Sequence, residues 1–472
     1  MSDKPEKMQQ GPGSRRTAIT EGVIWKQLLI FTIPILLSSF LQQFYNMVDV
    51  IIVGRLVNSQ AMGAVTATGS ITGLLIGLFF GLSAGASVIV SQYYGADDTK
   101  GVSDSVHSAM AIAVIMGAFL TAFGYILTPI VLRLMDTPAD IIDQSIAYMR
   151  IVFLGMWANT IYNMGAGILR AVGDSRRPLI FLLIASLTNI GLDLLFIGSF
   201  QMGVAGAAWA TIISQFISGL LVVITLMRSE ESFRFFPRDT KIHSYVAKNI
   251  LKIGIPAGAQ SVSVNLSNVI IQSQINSFGS AAVAGAGAAG RIDGFLYFTL
   301  NSFGLGVMTL VGQNYGARRM DRVQKIGRVG LGMSAGIAAV LGLLIFWQAD
   351  TLMLLFNDNP EVIHYGALMM TILAPTYWIL SASEVYSGFL RGVGQSLYPM
   401  ISTVVTMGVA RVGFVLIVRS FWDDITAVYL SYPFSWILQA ISMLVYVNFG
   451  RWQSGTRLGG ATDTGVKHDQ PT

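Results

Sequence analysis

Ser91-Gln-Tyr-Tyr-Gly-Ala96 returns 221 residues later as Gly312-Gln-Asn-Tyr-Gly-Ala317, with four of six residues identical. Gly167-Ile-Leu-Arg-Ala-Val-Gly-Asp-Ser-Arg-Arg-Pro178 returns at the same distance as Gly388-Phe-Leu-Arg-Gly-Val-Gly-Gln-Ser-Leu-Tyr-Pro399, with seven of twelve identical. Ile33-Pro34 pairs with Ile255-Pro256, and Thr137-Pro138 with Asn359-Pro360, in the same order and at nearly the same offset. The chain is therefore a tandem duplication, and each copy must be a supersecondary unit of about half the length.

What surrounds the motifs says what kind of unit. Hydrophobic residues make up 53% of the 472 residues and charged residues 12%, whereas a soluble domain carries about 25% charged residues. Mean hydropathy is +0.61. The apolar residues fall in runs near 25–53, 62–92, 107–130, 145–166, 178–197, 204–227, 250–276, 283–311, 329–348, 363–387, 398–418 and 426–449. Each reaches the roughly 20 residues that a helix needs to cross a bilayer. The runs are continuous rather than alternating in segments of about ten, so a membrane barrel is rejected. The expected fold is an all-α polytopic membrane protein of about twelve helices in two six-helix bundles.

Basic residues test that count. Alternate connections, starting with the N-terminal tail, hold 24 of the 30 Lys and Arg; the other set holds only Arg55, Arg133 and Arg419, and Arg150, Arg291 and Arg411 fall inside spans. By the positive-inside rule both termini are expected in the cytoplasm. The expected domains are a cytoplasmic tail at 1–20, bundles at 21–228 and 250–450, a cytoplasmic linker at 229–249 carrying Pro237, and a second tail at 451–472. An even number of spans per copy orients both copies alike, about a pseudo-twofold axis along the membrane normal, as in transporters that rock two bundles around a central site. The N-terminal stretch is polar and shows no cleavable signal; the first span serves as the insertion signal, into a plasma (inner) membrane, and the expected state is a monomer. The +5 net charge is carried by short loops, so nucleic acid is not an expected partner. Without cysteine, no thiolate site or disulfide exists, and the four histidines (His107, His243, His364, His468) have no metal-ligand spacing.

The stretch Asn46-Met-Val-Asp-Val-Ile-Ile-Val-Gly54, the paired Gln-x-Tyr-Gly-Ala motifs and the paired Leu-Arg-x-Val-Gly motifs resemble the multidrug and toxic compound extrusion (MATE) family, over nearly all of residues 21–450. The resemblance implies an antiporter that expels organic cations and other amphiphilic molecules in exchange for H⁺ or Na⁺, with lipid as its surroundings and no cofactor.

Ionisable groups at membrane depth are costly and need a reason. Gln42, Asn46 and Asp49 are spaced i, i+4, i+7 on one helix face, and Asn189 and Asp193 are spaced i, i+4 on another. Thr211 follows a run of small residues in the sixth span. Asp49, Asn189, Asp193 and Thr211 match the cation site that the resemblance implies for the first half. Their oxygens suit a hard cation such as Na⁺, and the carboxylates could instead carry H⁺. The second half carries other buried charges, Arg291, Asp293, Glu384 and Arg411, which read either as a salt-bridge network that locks helices together or as groups with a different job from those of the first half. Glu384 takes the place of Asn163, Arg411 aligns near Ile190, and the seventh span (Val262-Ser-Val-Asn-Leu-Ser-Asn268) offers no carboxylate. Tyr45, Tyr162, Met164 and Tyr377, with Gln42, Asn46 and Glu384, are expected near the substrate cavity, where rings and thioethers can hold a flat cation. The glycine-rich 284–290 stretch follows no strand and reads as a helix-packing surface, not a nucleotide loop. Rival readings are a flippase for lipid-linked saccharides, a channel and an intramembrane enzyme; the last would need a catalytic set, and the sequence has no His-Glu-x-x-His and no Asp-rich diphosphate motif.

Overall fold

The computed structural model describes residues 17–135, 137–450 and 452. The tails expected at 1–20 and 451–472 lie largely outside the described residues. Twelve helical rods follow one another: Ile24–Leu56, Ser59–Gly95, Thr99–Leu134, Ile142–Leu154 with Met156–Ala171, Arg176–Ser199, Gly203–Met227, Ser244–Asn276, Ser280–Gly316, Met320–Trp347, Pro360–Gly392, Leu397–Arg419 and Ile425–Phe449. They coincide with the twelve apolar runs, and no strand occurs among the described residues.

Nine of the rods among the described residues are long and apolar enough to cross a membrane on those criteria alone. The second rod carries an uncharged apolar run of the same kind, and the other two differ for local reasons. The fourth rod is broken at Gly155 into two short helices. The seventh is rich in Gly, Ser and Asn, and with the second it makes the most extensive contact between the two halves. A helix that faces protein over much of its surface needs less lipid-like character, and small residues let two backbones approach. A Cβ on Gly81 would collide with the backbone of Gly254 and Gly258, and one on Gly85 would sit 2.5 Å from the Ile250 carbonyl oxygen.

The duplication extends to one irregularity. The break at Gly155 recurs as a 3-10 turn at Ala374–Thr376 in the tenth rod, 221 residues on. The fifth rod ends in a π-helical stretch, Leu194–Ser199, and the eleventh contains one, Val404–Ala410, earlier in its rod than the repeat offset would place it. The Leu-Arg-x-Val-Gly motif closes the fourth and tenth rods. Its last glycine, Gly173 or Gly394, takes φ +97° or +88°, so the chain leaves the helix in the left-handed conformation that glycine adopts without strain. Gly173 N–H then bonds Arg170 O, as Gly394 N–H bonds Arg391 O.

The Gln-x-Tyr-Gly-Ala motif accounts for how the halves join. Gly95 and Gly316 lie against the backbone of Gln313 and Gln92, so close that neither position has room for a Cβ. This crossing lets each buried glutamine reach into the opposite half. Gln92 Nε2 donates to Gly392 O at 2.8 Å, and Gln313 Nε2 donates to Ala171 O at 2.6 Å. The donors are repeat equivalents and so are the acceptors, so the two bonds form a crossed pair about the pseudo-twofold axis. The first rod also bridges the halves: Leu28, Phe31 and Ile35 pack with Phe303, Val307 and Phe389 of the second half. Its far end, Ile52 and Val53, packs with Tyr148, Val152 and Ile197 of the first half.

The connection at 228–243 is docked on the first bundle. Phe233 and Phe235 are buried in the first bundle's core. His107 donates from Nδ1 to Ser103 O (2.7 Å) and accepts the Phe236 N–H at Nε2 (3.1 Å), which ties the connection to the third rod. The 284–290 stretch packs as expected only in part: Gly285 abuts Val362 and Gly366 of the tenth rod, while Gly287 and Gly290 face open space.

Candidate functional site

Asp49 lies on the part of the first rod that packs within the first half, and it is buried. Asn189 and Asp193 project from the fifth rod and are both 0% exposed. Asp193 is the last α-helical residue before the π-helical stretch; such widened turns gather at functional positions because they reset the register of the side chains beyond them. The Asp49 and Asp193 carboxyl groups stand within hydrogen-bonding reach of each other. No N–H or O–H among the described residues reaches Asp49 Oδ1, either oxygen of Asp193, or Asn189 Oδ1, and Asn189 Nδ2 has no acceptor. Two carboxyl groups buried this close favour a shared proton or a cation between them over two bare charges. Buried polar atoms without a protein partner are uncommon in folded proteins, and five of them together mark a place that water or an ion can occupy.

Thr211 is buried on the sixth rod, which packs against the fifth. Tyr45, one turn before Asp49, is half-buried, and its hydroxyl meets the Gln215 side chain. Tyr148 of the fourth rod is within electrostatic reach of both carboxyl groups and of Tyr45. Sequence reading missed Tyr148 and Gln215. The one available signal for Gln215 was its place one turn beyond Thr211; Tyr148 lies in a run that gives no sign of facing inward. Gln42 and Asn46 are exposed, so the polar face of the first rod grades from open surface to buried carboxylate. Tyr162 is half-buried and donates to Pro178 O at 3.2 Å. Met164 is packed in the first bundle's core. Among the described residues the site has two carboxylates, and no cluster of three or more His, Asp or Glu gathers anywhere. That donor set suits an ion that must leave again better than a tightly held metal.

The second half differs from the expected salt-bridge network. Among the described residues Arg291, Asp293, Glu384 and Arg411 form no ion pair with one another. Arg291 is exposed, because two residues along a helix turn it well over a quarter-circle away from Asp293. The rest form two separate hydrogen-bonded groups. In one, Glu384 accepts from Asn301 Nδ2 at 3.2 Å, near Tyr297 and Arg391. In the other, Tyr377 donates to Asp293 Oδ1 at 2.5 Å, and Arg411 donates to Ser435 Oγ at 3.1 Å and Asn268 Oδ1 at 3.0 Å. Tyr377 is fully buried in this group.

A sequence model of the MatE family matches twice, over residues 34–195 and 256–417. The chain is 30% identical over 435 residues to the probable multidrug resistance protein YpnP of Bacillus subtilis, covering 92% of this chain and 97% of that protein. It is 25% identical to the probable multidrug resistance protein NorM of Thermotoga maritima, over 91% of this chain and 93% of that one. Among solved structures it resembles an outward-facing multidrug resistance MATE family transporter, with a TM-score of 0.86, 22% identity and coverage of 95% and 99% of the two chains.

Proposed function

The chain belongs to the MatE family, and from that premise we propose secondary active multidrug efflux, in which cytoplasmic organic cations or amphiphilic drugs are exchanged for H⁺ or Na⁺ by alternating access. The observation that carries the reading is the pair of buried carboxyl groups, Asp49 and Asp193, held together by two different rods with no donor to satisfy them. Ion binding between them joins the first and fifth rods; ion release leaves two negative charges that a cationic drug can neutralise. Antiport needs this opposition, and linkage makes it reciprocal. Asn189 and Thr211 supply neutral oxygens on the adjoining faces, and Tyr45 and Tyr148 supply rings beside the charge. The crossed glutamine bonds close one end of the seam between the halves, so access comes from the other end until they break. By the distribution of basic residues, the closed end and both termini face the cytoplasm, and the membrane is the plasma membrane.

The test is flux of a fluorescent cation such as ethidium into vesicles containing the purified chain, under separately imposed Na⁺ and H⁺ gradients. Uptake driven by one gradient and abolished by collapsing it is expected. Flux that is indifferent to both gradients would reject antiport.

A further inference from the structure

The two halves share a scaffold but not a polar site, and the repeat shows what replaced it. Counted at the offsets of the motifs, Asp49 corresponds to Ile271, Asp193 to Phe414, Asn46 to Asn268 and Thr211 to Tyr432. The second half therefore has neither carboxylate. Ile271 is fully buried in its core, and Phe414 stacks on Phe434 with ring centroids 4.6 Å apart. Arg411 lies one residue beyond the counterpart of Asn189, immediately after the π-helical stretch of the eleventh rod, and is 2% exposed. Its guanidinium is held by equivalents of the first-half residues: Nη1 on Asn268 Oδ1, and the ζ carbon 4.3 Å from the centre of the Tyr432 ring. Ser435 Oγ accepts a hydrogen bond from Nε. Asp293 stands within electrostatic reach without touching it, its Oδ1 occupied by Tyr377.

We propose that Arg411 is a resident cation, fixed in the second-half counterpart of the ion site that the first half fills and empties. The proposal rests on the reading of Asp49 and Asp193 given above. A tethered guanidinium balances Asp293 through the whole cycle, so the second half needs no exchangeable ion, and only the first half contributes to coupling. A planar fork also suits three directional contacts at once, to an amide oxygen, a hydroxyl and an aromatic face.

Cutting the side chain back should then leave a site for a free guanidinium. Purified Arg411→Ala protein is heated in guanidinium chloride at tens of millimolar, with choline chloride as the ionic control. A saturable rise in the unfolding midpoint of about 2–4 °C is expected for a ligand well above its dissociation constant. It should be absent from the wild-type chain and smaller when Asp293→Asn is added. No guanidinium-specific shift in folded Arg411→Ala protein overturns the proposal. Should Arg411→Ala not fold, the Arg411→Met/Asp293→Asn pair decides: recovery of folded protein supports charge balance between the two groups, and continued failure overturns it. These readouts are equilibrium stabilities. They stand apart from the Asp49 and Asp193 reading, which fails separately if Asp49→Asn keeps normal ion-dependent flux.

Discussion

Replacing Gln92 and Gln313 by leucine should loosen the seam between the halves while leaving each bundle folded. Both side chains are buried, and their amides make the 2.8 and 2.6 Å bonds to Gly392 O and Ala171 O. Leucine nearly preserves volume, so the packing loss is small. The loss that matters is the donor: a buried carbonyl left without one costs about 1–3 kcal/mol. The cost falls on the state in which this end is closed, because an opened end lets water reach the carbonyl. Each substitution should therefore raise the population open at this end by about 5- to 150-fold. The two donors share no acceptor, so the double variant should approach the product of the single effects. The chain has no cysteine, so spin labels can be placed at Lys100→Cys and Lys325→Cys, exposed positions at the starts of the third and ninth rods. Electron-spin distance measurements should show a longer component that grows from wild type to single to double variant. A folded double variant with the wild-type distance distribution and wild-type drug flux would refute the reasoning and reduce the crossed bonds to ordinary packing.

Asp49→Asn and Asp193→Asn keep shape but remove charge; each should insert and fold yet lose gradient-driven ethidium export, and normal ion-dependent export by both would move the coupling group elsewhere. Glu384→Gln, whose partner Asn301 remains able to bond an amide, should alter stability or drug range more than ion dependence, as read from midpoints and a panel of substrates. Gly81→Val should abolish folded protein or transport, because its Cβ lands on the backbone at Gly254 and Gly258; a fully active variant would show that the second and seventh rods separate further than the structure has them. Cysteines at Ser229 and Ser244 should resist an impermeant thiol reagent added to intact cells, and rapid labelling of both would invert the expected topology.

All twelve rods were legible in the sequence because a membrane demands long apolar runs, and demand of that kind leaves a continuous record. The π-helical irregularities left none. The π-helical stretches at Leu194–Ser199 and Val404–Ala410 contain no proline, and a widened turn is chosen by tertiary packing rather than by local propensity. The docking of Phe233 and Phe235 was hidden for a related reason: two aromatics in a charged loop read as loop. Asp49 and Asp193 were legible singly, since a carboxylate within an apolar span stands out, but their approach to each other depends on how the first and fifth rods meet. The expected network in the second half failed on the same point. Sequence reveals which charges are at membrane depth, not which of them touch, and Asp293, Glu384 and Arg411 turned out to find neutral partners.

The difference between what the repeat kept and what it lost separates scaffold from chemistry. Gln92 and Gln313 each need the backbone crossing that Gly95 and Gly316 allow, and each takes an acceptor from the opposite half's Leu-Arg-x-Val-Gly motif. A change in one copy would unbalance a contact shared by both, so the joint holds the two copies to the same residues. No such constraint ties Asp49 to Ile271 or Asp193 to Phe414: Asp49, Asp193 and Ile271 are buried, and Phe414 packs on Phe434 of its own half. The halves were free to diverge where they do not touch. Rocking two bundles requires a symmetric joint but only one exchangeable charge. A chain with matched glutamines at its seam, an unsatisfied carboxyl pair in one half and a satisfied arginine in the other has the parts for that division.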